Sequence, residues 1–428
     1  MGIFGFKLNN ITHRGNKKKP VIWTKDKHGI NQNDIDPDAV KVIWRLRRQG
    51  FTAYLTGATV QNLMQGIRPK DFDIVTDARP GQVKRRFSNS FLIGRRFRLA
   101  HIHFQGGKII EVATFRRMAD AVADKGDKTD IGDKRRQTYG TPEEDAFRRD
   151  ISINALYYDL QNDTVIDYVK GLKDFSERRI RIIGNPSVKF KEDPVRMLRV
   201  VRHAARLDFS IDKKTEKSLR THLSLIKESS PARLYEELNK DVVLKTRIVF
   251  EAYARVGLLG HLLGDIGEEY EKDSTLFSRL IFVLAAKERA AAKGEIFVLE
   301  ELYALLFWPW MDKHYSKEKG DPHKELQEAL LSSFSCITVP RKLRTDFINI
   351  LLLLRNMKIA MQTGRKRSSW QKRPSYHSAS RLAYLIQEGY LPKKGQTFET
   401  LFRKKYGNFR KKGLSSKDRK RRSSGNDR

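Results

Sequence analysis

Two aspartates, Asp71 and Asp73, stand two residues apart in "KDFDIVTDA", residues 70–78 of a 428-residue chain whose formal charge is +34. In an extended strand alternate residues share a face, so both carboxylates project together while Phe72 and Ile74 project the other way. Like charges that close repel one another, and a divalent cation between them relieves the repulsion. A third acid, Glu111, sits in "IIEVATF" with Ile110 and Val112 directed oppositely, which places it on the same side of a sheet. Three carboxylates there suit two Mg²⁺ ions bridging a nucleoside triphosphate and an attacking hydroxyl. Acid pairs in strands are also commonly just solvated, so the pattern gains its force from its neighbours. Upstream, Gly57 closes a strand just before a helix, where free backbone N–H groups can cradle phosphate oxygens.

A second constellation lies in "KEDPVRMLRVVRHAARLDF". Arg196, Arg199, Arg202 and Arg206 recur at spacings of three, three and four, which keeps them on one helical face with Leu198, Val201 and Ala205 opposite. By itself this is a solvated basic face, and Asp193 before Pro194 is a helix N-cap followed by proline at the first helical position. Next to a triphosphate site it has another use. An acceptor at Asp193 and a donor fork at Arg196, one turn apart, match the hydrogen-bonding edge of a base, and the later arginines can reach phosphates.

The elements that position these residues follow from periodicity. "DPDAVKVIWRLRRQG" is a helix ending at Gly50, "FTAYLTG" a strand, and 58–65 a short helix leading to the strand with the paired aspartates. A helix at 80–87 precedes a hairpin in which "RLAHIHF" and "KIIEVATF" flank Gln105, Gly106 and Gly107. The stretch from Arg116 to Gly140, dense in Asp, Lys and Gly, reads as a loop. After about 145 the pattern is helical to about 400, apart from "TVIDYVKG" and "RIRIIG", which read as a short strand pair. From Arg403 the chain is a low-complexity basic tail. The fold class expected is α+β, a mixed α/β head followed by helices.

Composition narrows the partners. With 39% apolar and 32% charged residues the chain can bury a core yet must expose a highly charged surface, and its excess of cations points to a polyanion. The apolar runs fall short of a membrane span and the first residues lack a signal-peptide pattern, so a cytoplasmic location and nucleic acid rather than membrane are expected. The single cysteine, Cys336, excludes an internal disulfide and reads as a buried bystander.

"AYLTG", "KDFDIVTDARPGQVKRRF", "LIGRRFRLAHIHF", "IIEVATFR", "YGTPEEDAFRRDISINALYYD" and "IRIIGNPSVKFKEDPVRMLRVVRHAARLDF" follow in an order that resembles the bacterial poly(A) polymerase and CCA-adding tRNA nucleotidyltransferase family, within the polymerase-β-like nucleotidyltransferases. The "LIGRRFRLAHIHF" segment resembles the poly(A) polymerase form. The resemblance implies a catalytic head at 36–150 after a basic irregular N-terminus at 1–35, a nucleotide-selecting neck at 151–240, a helical RNA-binding body at 241–402 and a disordered tail at 403–428. It implies that Asp71 and Asp73 bind the metals, that Glu111 supports them, and that Arg149, Asp150 and Asn154 of "RRDISINA" contact the nucleotide along with Gly57 and Ala58. Asp193 and Arg196 resemble the pair that imitates a templating base, with Arg199 and Arg202 nearby. The activity implied is template-independent addition of AMP from ATP to RNA 3′ ends with Mg²⁺, the partner being RNA rather than DNA. The alternatives are CCA or A addition to tRNA, and a catalytically weakened RNA-binding paralogue. One departure bears on them. Where the family reads Gly-Gly, two residues, then Arg-Asp, this chain has "GATVQN", with Ala58 and Gln61 in place of the second glycine and the arginine.

Overall fold

A computed structural model describes residues 19–94, 98–117, 139–315, 322–363 and 368–388. The expected loop lies mostly, and the basic tail wholly, outside the described residues. The chain divides into two compact units, one running through Lys189 and taking back Phe209–Thr215, the other formed by Phe190–Asp208 and everything from Glu216.

The first unit is built on an eight-stranded sheet. In chain order its elements are β1 (Val21–Thr24), α1 (Lys25–His28), α2 (Pro37–Arg48), β2 (Ala53–Thr56), α3 (Ala58–Met64), β3 (Asp73–Thr76), α4 (Pro80–Arg86), β4 (Ser90–Ile93), β5 (Leu99–His103), β6 (Ile109–Thr114), α5 (Pro142–Arg148), β7 (Leu156–Asp159), β8 (Thr164–Asp167), α6 (Gly171–Ser176) and β9 (Arg179–Ile180). Strand order is β1-β8-β7-β2-β3-β6-β5-β4, which puts β3 between β2 and β6 in the middle of the sheet. β2 and β3 are antiparallel, β3 and β6 parallel, and β5 and β6 form the expected hairpin.

Sequence chemistry accounts for the local choices. Asp36 starts α2 by accepting the Asp38 amide at 2.8 Å, with Pro37 at the first helical position, where a missing N–H costs nothing. Ala39, Val42, Ile43 and Leu46 form the apolar stripe of α2 and pack with Leu55, Ile74, Ala100, Ile102, Ile110 and Val112 from one face of the sheet. The other face carries a smaller cluster of Val75, Phe115, Tyr157 and Ile166 toward β2, β7 and β8.

Three expectations change. Residues 21–28, expected to be irregular, form β1 and α1, because the alternating "VIWT" finds β8 as a partner. Residues 156–167, expected in the neck, supply β7 and β8 of the head sheet. The expected pair of "TVIDYVKG" with "RIRIIG" does not form. β8 pairs with β7 and β1, while β9 pairs in parallel with β10 (Ser210–Ile211), a strand too short to announce itself by period.

The second unit is helical. α7 (Pro186–Glu192) leads into it, followed by α8 (Val195–Leu207), α9 (Lys213–His222), which begins in the first unit, α10 (Pro231–Val243), α11 (Thr246–Val256), α12 (Leu259–Lys272), α13 (Ser274–Ala292), α14 (Leu299–Tyr315), α15 (Pro322–Ser333), α16 (Arg341–Thr363) and α17 (Tyr376–Glu388). Phe250, Tyr253, Tyr270, Tyr303, Phe307 and Phe347 are among its fully buried side chains, and Cys336 is buried. Among the described residues no helix is long and apolar enough to cross a membrane.

Candidate active site

Asp73 opens β3, while Asp71 lies in the bend just before it, exposed, with Phe72 and Ile74 buried beneath. The expected alternation therefore holds although only one of the two aspartates is in the strand. Thr59, in the first turn of α3, fixes this bend from both ends: its Oγ1 donates to the Asp71 carbonyl at 3.2 Å and accepts the Asp73 amide at 3.0 Å. Gly57 precedes α3 with φ +68°, and a Cβ there would stand 3.4 Å from Asp73 Oδ2. A side chain at this position would be strained in its backbone and its Cβ would touch the carboxylate.

Glu111 faces Asp73 directly across the parallel register, exposed, with Ile110 and Val112 buried on the opposite face. Its Oε1 lies 3.4 Å from His101 Nε2. The Asp73 carboxyl is pushed up to about 6, first by burial and then by Glu111 and Asp71, with Arg149 pulling the other way. Among the described residues no group of three or more His, Cys, Asp or Glu side chains forms a ready ligand cluster. Glu111 meets Asp73 in register and acts on its charge, and Asp71 stands two residues before Asp73, so these three carboxylates are the residues here that could hold a metal. Burial and the neighbouring acids both disfavour the charged form of Asp73, a cost that a nearby cation relieves, and hard carboxylate oxygens suit a divalent cation such as Mg²⁺.

Of the "RRDISINA" residues, Arg149 lies near enough to Asp73 to act on its charge. Arg149 donates from Nε to Asp145 Oδ2 at 3.0 Å and from Nη1 to the Asn154 carbonyl at 2.9 Å, with its guanidinium 5.3 Å from the Tyr157 ring centroid. Asp145 is fully buried and also accepts from Arg148 Nε at 2.9 Å, Tyr157 Oη at 2.9 Å and the Arg116 amide at 3.1 Å. Burial works against its charge, but Arg149 and Arg148 outweigh burial and hold the carboxyl below its ordinary range. Asn154 Oδ1 accepts from Gln61 Nε2. Gln61, in the position where the resembling family carries arginine, is buried, whereas Ala58 is exposed at the start of α3. The Asp150 carbonyl accepts the Ile183 amide at 2.9 Å.

Asp193, Arg196, Arg199 and Arg202 belong to the second unit. Asp193 does not cap α8. The helix begins after Pro194 without a side-chain cap, and the Asp193 carboxylate takes both Arg233 Nη atoms at 2.9 and 2.8 Å. Arg196 Nη1 donates to Glu192 Oε2 at 3.0 Å, and Arg199 Nη1 lies 3.8 Å from Glu237 Oε1. Arg202 departs from the expected exposed stripe: it is buried and paired with Glu237 and Asp241 of α10, and Tyr253 Oη also donates to Asp241. Burial opposes the charge on Glu237, yet Arg202 and Lys240 hold it down at about 2. Arg202 is therefore a packing cation joining α8 to α10, occupied by acids 35 and 39 residues away in sequence.

Thr59 and Asp145 were not singled out by sequence. Asp145 had a readable signal, since it precedes Arg148 and Arg149 by three and four residues, the helical ion-pair spacing.

Residues 53–181 match the poly A polymerase head domain, and residues 208–267 match the probable RNA and SrmB-binding site of polymerase A. The chain is 34% identical over 376 residues to poly(A) polymerase I of Salmonella typhi, covering 84% of this chain and 80% of that one. It belongs to the poly(A) polymerase family of nucleotidyltransferases. The CCA-adding enzyme of Lactobacillus helveticus is also 34% identical, over 211 residues, 48% of this chain and 50% of that one. The fold is similar to that of the Bacillus stearothermophilus CCA-adding enzyme in complex with CTP, with a TM-score of 0.63 at 23% identity over 87% of this chain and 83% of that one. The chain is thus a nucleotidyltransferase enzyme, with a mixed-sheet head carrying the paired aspartates and a helical remainder.

Proposed function

We propose that this enzyme adds AMP from ATP to RNA 3′ ends without a template, in the cytoplasm, in polyadenylation and turnover of RNA. The observation that carries the reading is the similarity to poly(A) polymerase I, which runs through 84% of the chain, well past the 48% shared with a CCA-adding enzyme. Asp71 and Asp73 would hold Mg²⁺, which when bound lowers the pKa of the attacking 3′-hydroxyl and neutralises the leaving pyrophosphate. Thr59 keeps the two carboxylates at fixed spacing by gripping the backbone at both. Gly57 keeps the approach to Asp73 clear of a side chain. Arg149, clamped by Asp145, sets a cation beside the carboxylates with Asn154 as its neighbour, and Asp150 completes the group that contacts the nucleotide. Asp193 and Arg196 select the base, in which role each exchanges its present partner, Arg233 or Glu192, for the nucleotide. Residues 241–402 hold the RNA.

The test supplies each labelled nucleotide in turn with an unstructured RNA and with a tRNA lacking its 3′ end. Incorporation of ATP alone into long tails on the unstructured RNA supports the reading. CTP followed by ATP on the truncated tRNA would replace it with CCA addition, and binding of RNA without incorporation would replace it with a paralogue disabled at "GATVQN".

A further inference from the structure

One face of the head sheet is buried under α2, and the face that carries Asp73 stays open over β4, β5 and β6 among the described residues. Register places Asp73, Glu111, His101 and Phe91 in a single row across four strands. Paired residues project to the same side, so the row starts at the carboxylates and ends at an aromatic ring. The apolar side chains on this face are unusually bare: Phe91 is 55% exposed, Ile93 48% and Ile109 38%. Large apolar groups gathered on one open face mark a binding surface. The Phe91 ring is already edged by His103 at 5.0 Å between centroids, and Lys84 Nζ lies over the ring, 5.1 Å from its centre, while donating to the Ser90 carbonyl.

A largely exposed aromatic ring with a histidine at its edge and a lysine over it suits a nucleobase with its phosphate, since a base stacks on the exposed part of the ring while one of the ammonium's remaining N–H groups meets the backbone. We propose that the open face of β4, β5 and β6 seats the 3′-terminal nucleotides of the acceptor RNA, with Phe91 as the stacking platform and Lys84 as the phosphate contact. Two features select this occupant over a protein partner. The row is continuous with the carboxylates at which the terminal hydroxyl has to arrive, and the nearest charge, Lys84, complements a phosphate. Phe91 acts as a positioning residue, since the row separates it from Asp73 by two strands. The inference rests on the acceptor being RNA, as proposed above.

The experiment uses the full chain and a short oligoadenylate with 2-aminopurine at its 3′ end, or at its 5′ end as control, without ATP. Stacking quenches this fluorophore. We expect wild-type protein to quench the 3′ probe and not the 5′ probe, Phe91→Ala to lose most of that quenching, and Phe91→Trp to retain it. In turnover, Phe91→Ala raises KM for RNA by about five-fold or more, the effect of one lost base–aromatic stack, with KM for ATP unmoved. Because Phe91 is largely exposed, its truncation leaves the melting temperature in place, and Phe91→Trp tests the ring without a cavity. Equal quenching of the 3′ probe by wild type and Phe91→Ala overturns the proposal, as does equal response of both probes. Protein that incorporates no AMP but quenches the 3′ probe through Phe91 refutes the proposed reaction and leaves this surface standing.

Discussion

The Asp145 cluster offers the sharpest test of how the head holds its arginine. Asp145→Asn keeps the shape and removes the charge that Arg148 and Arg149 share. Breaking a buried pair by removing one partner costs about 3–5 kcal/mol, and the lower end applies here because both arginines keep some contact with water. At about 2–4 °C per kcal/mol for a domain of this size, a loss of about 3 kcal/mol lowers the head transition by about 6–12 °C. Tyr157→Phe deletes one hydrogen bond to the same carboxylate and costs about 1 kcal/mol. The double variant should lose less than the sum, since the two groups share a partner. The pH dependence follows from the depressed carboxyl. A carboxyl whose folded value lies below its ordinary 3.8 contributes stability that is fully present above that value and is lost as pH falls through the folded one. Asp145→Asn therefore has a flatter acid limb than the natural protein. Scanning calorimetry of the head transition across pH reads both effects. A loss below about 1 kcal/mol, or an unchanged acid limb, would refute the claim that this carboxylate is charged and balanced by its arginines.

Replacing Asp73 with Asn should reduce AMP addition by about 10³-fold, several kcal/mol of transition-state stabilisation, with the circular dichroism spectrum and RNA affinity retained; near-normal turnover would remove Asp73 from the centre. Asp193→Ala breaks an exposed pair with Arg233, worth about 0.2–1 kcal/mol, so melting moves little while ATP-over-CTP discrimination falls; unchanged discrimination in a competition assay would leave Asp193 as a tether only. Gln61→Arg puts a longer cation into a buried site next to Asn154, and should destabilise the head by about 1–3 kcal/mol. A lower KM for ATP without that cost, measured by steady-state kinetics beside a thermal melt, would show that the new side chain reaches phosphate instead.

What could be read in the sequence was local. Asp36-Pro37 announces α2, the Gln105–Gly107 turn announces the hairpin, and the alternation around Asp73 and Glu111 places both acids on one face before any register is known. What could not be read was long-range. β1 becomes a strand because Thr164–Asp167 lies beside it, and β9 because Ser210–Ile211 does. Arg202 fits the period of an exposed stripe as well as its neighbours do, and only Glu237 and Asp241 make it internal. Asp193 before Pro194 has the form of a cap, and Arg233 in α10 draws the carboxylate away from that use. Period and capping rules report on neighbours within a turn or two, and none of these partners is that near.

The strand order of the head has a consequence for synthesis. β3, which opens on Asp73, leaves the ribosome early, yet the sheet around it waits for β7 to pair with β2 and for β8 to receive β1, whose Val21 meets Asp167. β9 waits longer still, because Ser210 arrives only after the whole of α8 has been made. Contacts of such separation form slowly, and until they form the edges of β1 and β2 are open to other chains. The nascent enzyme thus passes through a stage in which its acids are present and its scaffold is not, and a fragment ended at residue 150 would be held permanently at that stage, sticky at its edges.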